Sequence, residues 1–403
     1  MLWTLKKLLY RLAHLVMAAM FRRMDVPVPA LHTGPGSVLK LPEVVRASGV
    51  ARVLLVTDRG IRDLGLIDGL CEALEQAGVA YVVFDGVQPN PTIDNIEAGL
   101  QCYRDAACDG IVAFGGGSVM DCAKLIGARA SNPDRSVLEL RGAFKVKVDP
   151  PPLFAVATTA GTGSECTLAA VISNPAEHEK FAVAGPNLVP QHAVLDPELT
   201  KGLPPHITAH TGMDALTHAV ESYIGRAGTP FTEEHAEKAV KVIFEDLEAV
   251  YRDGSDLERR GNMALASYWA GLAFTRALVG YVHAVAHNLG GMYGVPHGLA
   301  NAIVLPHVLD FSRADCEEKL ARLAIVGGIG EEGEAPAELA TRFIAKVREM
   351  NAAMDIPTTV AELKEDDIPF LAARAMAEGN PGYPVPTLMH PTQCEALLRK
   401  LLP

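Results

Sequence analysis

The spacing of apolar positions changes period twice along this chain. At the start, Leu2, Leu5, Leu9, Leu12 and Val16 recur at helical spacing, with Lys6, Lys7 and Arg11 between them. That pattern predicts a basic amphipathic leader helix over residues 1–24. From about residue 33 to 200 the apolar runs become short. Residues 51–57 (ARVLLVT), 81–87 (YVVFDGV), 111–117 (IVAFGGG) and 152–159 (PLFAVATT) are β-rich and of buried-strand length. Helical spacing fills 61–78, 92–107 and 118–130 between them. Such alternation predicts an α/β domain with a largely parallel sheet over residues 25–203. Three later runs, at 169–173, 181–185 and 193–196, read as additions to that sheet. After Leu203-Pro204-Pro205 the strand pattern stops. Residues 206–225, 232–251, 256–278, 281–293, 334–353 and 391–402 read as helices, which makes 204–403 an all-helical domain.

Composition narrows the function classes. The 403 residues are 49% hydrophobic and 21% charged, the make-up of a globular chain with room for a sizeable core. A net charge of −12 argues against nucleic acid as a partner, because neutralising phosphates needs a basic face. The cysteine count is odd, seven, and no two form a CxxC pair. A disulfide framework is not expected, and a reducing, cytoplasmic setting is. The leader's uninterrupted apolar run, Leu15–Phe21, falls far short of the ~20 residues that span a bilayer. It ends in Arg22-Arg23 and has no small-residue cleavage site, so a signal peptide fits poorly. Two readings stand for it: packing on its own or a neighbouring subunit, and peripheral contact with an anionic membrane surface.

Two glycine-rich loops follow predicted strands. Gly115-Gly116-Gly117-Ser118 opens a helix, where backbone N–H groups and the helix dipole can receive a phosphate. It is not the GxGxxG fingerprint, and such a turn also serves simply to join a strand to a helix. Thr158-Thr159-Ala160-Gly161-Thr162-Gly163-Ser164-Glu165 interleaves hydroxyls with glycines and can line a dinucleotide or form an ordinary turn. Two such loops at the C-terminal ends of neighbouring strands support one another, since α/β sheets bind ligands there. Asp58 ends the first strong strand. An acid at that place can bond an adenosine ribose 2′-hydroxyl and repel a 2′-phosphate, or serve as a surface turn residue.

The helical half carries the densest chemistry. Asp214 and His218 stand at i and i+4 in GMDALTHAVES and so project from one helix face, with apolar flanks. His283 and His287 repeat that spacing in HAVAH, and His297 follows the turn 290–296. A buried carboxylate beside buried imidazoles needs a partner, and a divalent cation supplies one. Mixed oxygen and nitrogen donors suit Fe²⁺ or Zn²⁺. His178, His192, His206, His210 and His307 lack the clustering and read as structural.

With these residues assembled, the chain resembles the iron-activated (group III) alcohol dehydrogenase family. PNPT (89–92), GGGSVMDCAK (115–124), TTAGTGSE (158–165), DPELT (196–200), TGMDALTHAVE (211–221) and the run 283–308 carry the resemblance, in order, across about residues 30–402. It implies a Rossmann-like, NAD-binding α/β domain, an all-α metal domain and a cleft between them. It further implies Asp214, His218, His283 and His297 as metal ligands, with His287 a non-ligand that relays a proton. Asp58, Asn90, Gly116, Gly117, Ser118, Thr158, Thr159, Thr162 and Lys180 match cofactor-contacting positions. The implied activity is interconversion of an aliphatic alcohol with its aldehyde or ketone, by hydride transfer to NAD, in a homodimer or larger homo-oligomer. Two features depart from the family pattern: the leader, and residues 380–387 (NPGYPVPT) where a shorter NPR-type turn is common. Phe274 and the Tyr383 loop are expected to shape an apolar substrate pocket.

The nearest rival is a metal- and NAD-using lyase of the dehydroquinate synthase type. Its phosphorylated, polyhydroxylated substrate demands a cluster of cations, and none falls within the metal motifs. A membrane-associated scaffold is the non-enzymatic alternative, and it leaves the metal and phosphate motifs without a purpose.

Overall fold

A computed structural model describes residues 2–175 and 179–403; His178 lies outside the described residues. The chain divides into two compact units. One comprises Asp25–Leu203 with Ser255–Ala264; the other comprises the leader, Pro204–Gly254 and Leu265–Pro403.

The first unit is built on a six-stranded parallel sheet. Its strands are β1 (Ala30–Thr33), β2 (Arg52–Asp58), β3 (Ala80–Val87), β4 (Gly110–Gly115), β6 (Leu153–Ala157) and β9 (His192–Leu195), in spatial order β1-β9-β6-β4-β2-β3. Strands covered on both faces read as continuous apolar runs, which is why β2, β4 and β6 stood out in the sequence. Val53 and Leu55 pack with Val112, Phe114, Phe154 and Val156 on one face, while Leu54, Val56, Ile111 and Ala113 fill the other, all without exposed surface. Each such Val or Leu contributes roughly 1.5–3 kcal/mol relative to exposure. Helices α2 (Leu41–Ala47) and α4 (Asp68–Gln76) supply Leu41, Val45, Leu70 and Leu74 to the first face. The predicted helix 61–78 is two pieces, α3 (Arg59–Asp63) and α4, whereas 92–107 and 118–130 form α5 (Ile93–Asp105) and α6 (Gly117–Ser131).

Two of the three late runs do not extend the main sheet. β7 (Ala169–Asn174) and β8 (Glu179–Ala184) pair antiparallel and join β5 (Gly142–Ala143) in a separate three-stranded sheet; β9 alone enters the large one. The reason is connectivity: strands joined by a few residues pair antiparallel, while parallel neighbours need a long crossover.

The second unit is helical. It contains α1 (Leu2–Arg23), α7 (Pro205–Ile224), α8 (Pro230–Arg252), most of α9 (Leu257–Ala277), α10 (Tyr281–Tyr293), α11 (His297–Val326), α12 (Pro336–Ala353), α13 (Ile368–Gly379) and α14 (Pro391–Leu398). α11 and α13 were not anticipated from spacing. α8 starts at a capping box, Thr229 with Thr232, followed by Pro230 in the first turn. No described helix is long and apolar enough to cross a membrane.

Candidate active site

α7 sets the first half of the site. It is buried along most of its length, so the i, i+4 pair Asp214 and His218 faces protein rather than water. α10 carries His283 and His287 one turn apart. Gly294 ends α10 at φ 72°, a left-handed conformation that glycine adopts without strain. Pro296 then fixes the chain so that His297 is the first residue of α11. By this route, ligand atoms of Asp214, His218, His283 and His297 all lie within 4.8 Å of one another.

The donor set fits a divalent ion. Asp214 Oδ1 stands 3.5 Å from His297 Nε2 and 3.9 Å from His283 Nε2. Asn301, one turn beyond His297, donates its amide to Asp214 Oδ1 at 2.7 Å and lies 3.2 Å from both of those imidazole nitrogens. Three acceptor atoms from three helices thus converge on one donor. One carboxylate and three imidazoles at this spacing match the preferences of Fe²⁺ and Zn²⁺.

Neighbouring groups orient these donors. Glu221, on α7, accepts from His283 Nδ1 at 2.7 Å and from the backbone N–H of Gly280 and Val282 at 2.8 and 2.7 Å. Burial pushes the Glu221 carboxyl up to about 7, opposed by those backbone donors. Burial and the imidazoles of His218, His297 and His287 push His283 well below the usual histidine range. A neutral His283 with its proton on Nδ1 presents the Nε2 lone pair beside Asp214, the tautomer a metal ligand needs. His218 stacks on Phe274 with ring centroids 4.0 Å apart.

His287 adjoins the ligand group without joining it. Its ring stacks on His297 at 5.1 Å, and its Nδ1 lies 2.6 Å from Glu378 Oε1. Tyr383 donates to the same oxygen at 2.8 Å, and Asn288 donates to Glu378 Oε2 at 3.3 Å. The Tyr383 hydroxyl therefore belongs to a polar network, and burial next to Glu378 pushes its pKa well above the ordinary tyrosine value. Four of these participants, Glu221, Asn288, Asn301 and Glu378, were not singled out in the sequence; Asn288 directly follows His287. Glu221 had a signal, since it falls three residues after His218, and Asn301 had one, four residues after His297. Glu378 had none, because it comes from a distant segment.

The remaining described histidines pair elsewhere or stand apart. His192 lies 3.2 Å from His32, and His206 lies beside His210. His307 is outside the ligand group.

The α/β unit gathers most of the second set of candidates at the C-terminal ends of β2, β4 and β6, with Asn90 following β3 and Lys180 on β8. The chain winds from β2 to β3 on one side and returns to β4 on the other, the kind of switch point where open sheets bind ligands. Gly116 caps α6, and Gly117 and Ser118 form its first turn. A Cβ on Gly117 would meet Thr162 Cγ2 at 2.8 Å, and one on Gly116 would meet Thr159 at 3.3 Å, so the two loops lie against each other. Thr158 N–H donates to Gly115 at 3.2 Å. Asn90 donates its N–H to Ser118 Oγ at 3.3 Å and accepts from Lys180 Nζ at 2.7 Å, linking three of the expected positions in one chain. Asp58 caps α3, accepting from Ile61 N–H at 2.9 Å through Oδ1.

Beneath these loops is a buried cation the sequence did not flag. Lys124 Nζ donates to Ser164 Oγ, Thr167 O, Thr167 Oγ1 and Ala169 O at 2.8–3.1 Å. Asp121 accepts from Ser164 Oγ at 2.9 Å and Val171 N–H at 3.0 Å. This cluster fastens α6 to the threonine-rich loop from below.

Comparison with known proteins covers both units. Residues 29–197 match the family model for iron-containing alcohol dehydrogenase, and residues 208–402 match the C-terminal model of the same family. The chain is 40% identical over 365 residues to 1,3-propanediol dehydrogenase of Citrobacter freundii, covering 89% of this chain and 94% of that protein. It is 36% identical over 352 residues to NAD-dependent methanol dehydrogenase of Bacillus methanolicus, covering 87% and 92%. A crystal structure of 1,3-propanediol oxidoreductase superposes with a TM-score of 0.90 at 38% identity, over 94% of this chain and all (100%) of that one. Sheet, helical unit and motif order all agree with that match, and the chain belongs to the iron-containing alcohol dehydrogenase family.

Proposed function

We propose that this chain oxidises small aliphatic alcohols and reduces the matching carbonyls with NAD, using a divalent ion held by Asp214, His218, His283 and His297. The observation that carries this reading is the convergence of those four ligand atoms within 4.8 Å. In the same reading, residues 25–203 are the dinucleotide-binding domain, 204–403 the metal-binding domain, and 1–24 a separate leader.

A bound divalent ion would serve as a Lewis acid on the alcohol oxygen, favouring loss of its proton near neutral pH. The chain's own residues supply the rest. Glu221 fixes the His283 ring so that its lone pair stays aimed at the ion position. His287, with Nδ1–H donated to Glu378, accepts the released proton at Nε2, and the carboxylate stabilises the resulting imidazolium. Tyr383 and Asn288 hold Glu378 in place for that task. Asn90, Gly116, Gly117, Ser118, Thr158, Thr159, Thr162 and Lys180 would line the dinucleotide, with the first turn of α6 receiving a phosphate. Asp58 would accept the ribose 2′-hydroxyl through the oxygen not used in capping α3, which favours NAD over NADP.

The names of its relatives support the substrate class: a propanediol dehydrogenase, a methanol dehydrogenase described as NAD-dependent, and a lactaldehyde reductase. All seven cysteines are free thiols, which supports the cytoplasmic setting. A homodimer or larger homo-oligomer completes the reading, and light scattering on the purified protein checks it. The direct test is NADH formation from C2–C12 alcohols and diols by metal-stripped protein reloaded with Fe²⁺ or Zn²⁺. Turnover that returns only with metal supports the reading; no turnover of any alcohol with either metal overturns it.

A further inference from the structure

The leader helix α1 has two apolar faces, and only one is occupied. Trp3 lies edge-on to His390, His14 and Ala18 are buried, and Arg11 donates to the backbone oxygens of Val385 and Pro386, so this face is docked on the helical unit. On the opposite face Leu5, Leu8, Leu9, Leu12, Leu15 and Val16 form a stripe that continues to Met20, each residue between 47% and 69% exposed. At the rise of an α-helix the stripe is roughly 22 Å long. Among the described residues, no other helix carries more than one large hydrophobic side chain of comparable exposure. The family match begins at residue 29, beyond this helix, so the dehydrogenase reading does not account for it.

Charge decides between the candidate occupants. Residues 2–23 hold Lys6, Lys7, Arg11, Arg22 and Arg23 and no acidic residue, within a chain of net charge −12. Helical periodicity puts Lys6 on one flank of the stripe and Arg22 on the other, and both are exposed. Were a second copy to cover the stripe, its only comparable apolar face would be its own leader. Two basic helices without an acid between them would then lie side by side, which like charges oppose. A lipid surface with anionic headgroups meets both requirements, taking the leucines into the acyl boundary and pairing the flanking cations with phosphate. The acidic remainder of the molecule is repelled by the same surface, which orients the leader toward it.

From this arrangement we infer that α1 is a peripheral docking element for anionic bilayers, bound through its outward leucine stripe and its flanking cations. The helix lies in the interface while its inner face stays on the protein.

Co-sedimentation of the full-length chain with phosphatidylglycerol vesicles, against phosphatidylcholine vesicles, tests the inference. The full chain is expected to pellet with phosphatidylglycerol, to remain in solution with phosphatidylcholine, and to be released by added salt. A Leu8→Glu/Leu12→Glu/Leu15→Glu variant, altered only on the exposed face, is expected to lose pelleting while keeping dehydrogenase turnover. Lys6→Glu/Arg22→Glu, which leaves every leucine in place, is expected to weaken pelleting in the same direction. Recovery of the full chain in the supernatant with both vesicle types overturns the inference. So does a fall in solution mass, measured by light scattering, in the leucine variant of a chain that never pelleted, because the stripe is then an interface between copies. Neither result touches the dehydrogenase reading, which is assayed without vesicles.

Discussion

At the scale of single residues, the α/β unit depends on contacts that lie under its loops rather than on them. Lys124 is fully buried with four oxygen partners, and burial holds its pKa below the ordinary lysine value. Replacing it by Met removes those bonds and leaves the buried oxygens of Ser164 and Thr167 without their donor. Leaving a buried acceptor unsatisfied in this way typically costs about 1–3 kcal/mol. We expect Lys124→Met to lower the thermal midpoint and raise KM for NAD, while bound metal is unchanged; steady-state kinetics with metal analysis checks this. A loss of kcat at constant KM would place Lys124 in a different role. The glycine loop gives a sharper contrast. Gly117→Ala puts a methyl 2.8 Å from Thr162, whereas Gly116→Ala finds 3.3 Å to Thr159. Overpacking of the first kind commonly costs about 1–3 kcal/mol. Gly117→Ala should therefore raise KM for NAD more than Gly116→Ala does, and equal effects would show that loop contact is not what the glycines protect.

At the scale of elements, the sequence disclosed those whose period is clean. β2, β4 and β6 announced themselves as continuous apolar runs, and α7 and α10 as apolar segments bearing i, i+4 pairs. α11 did not, because Ala300–Leu305 are buried on every side and leave no amphipathic stripe, and Pro306 sits within the helix. α13 hid behind Pro369 near its start, a position where proline favours a helix rather than breaking it. β1 was too short, at four mostly exposed edge residues, to be read as a strand. The leader's helical form was legible, but its docked face was not, since both faces are apolar. That docking makes a pH prediction. Burial first, then Arg11 and Arg226, pushes His14 down to about 4. On acidification the unfolded chain takes up this proton before the folded one does. The stability attached to a neutral His14 is thus complete above about 6.5 and falls as pH drops toward about 4. The thermal midpoint of His14→Gln should fall less steeply than that of the natural chain across this window. Parallel curves would mean that His14 does not resist protonation in the folded protein.

At the scale of the molecule, the fold class was readable because an alternating half and a helical half each imposed its own period. The convergence of Asp214, His218, His283 and His297 was readable because two i, i+4 pairs fell in apolar helices. The groups that orient these side chains were only partly so: Glu221 and Asn301 shared helical spacing with ligand candidates, but Glu378 and Tyr383 reach His287 through tertiary packing, which no local pattern records. The β7–β8 sheet was misassigned for a related reason, as apolar runs alone do not state which sheet they join. The central claim separates four proposed ligands, Asp214, His218, His283 and His297, from a fourth histidine, His287, that stands beside them. Metal content of purified His283→Ala and His287→Ala proteins, measured together with NAD⁺ reduction, tests it most directly. His283→Ala is predicted to lose metal and turnover together, and His287→Ala to keep its metal while turning over slowly. Full metal retention in His283→Ala, or loss of metal in His287→Ala, would contradict the assignment.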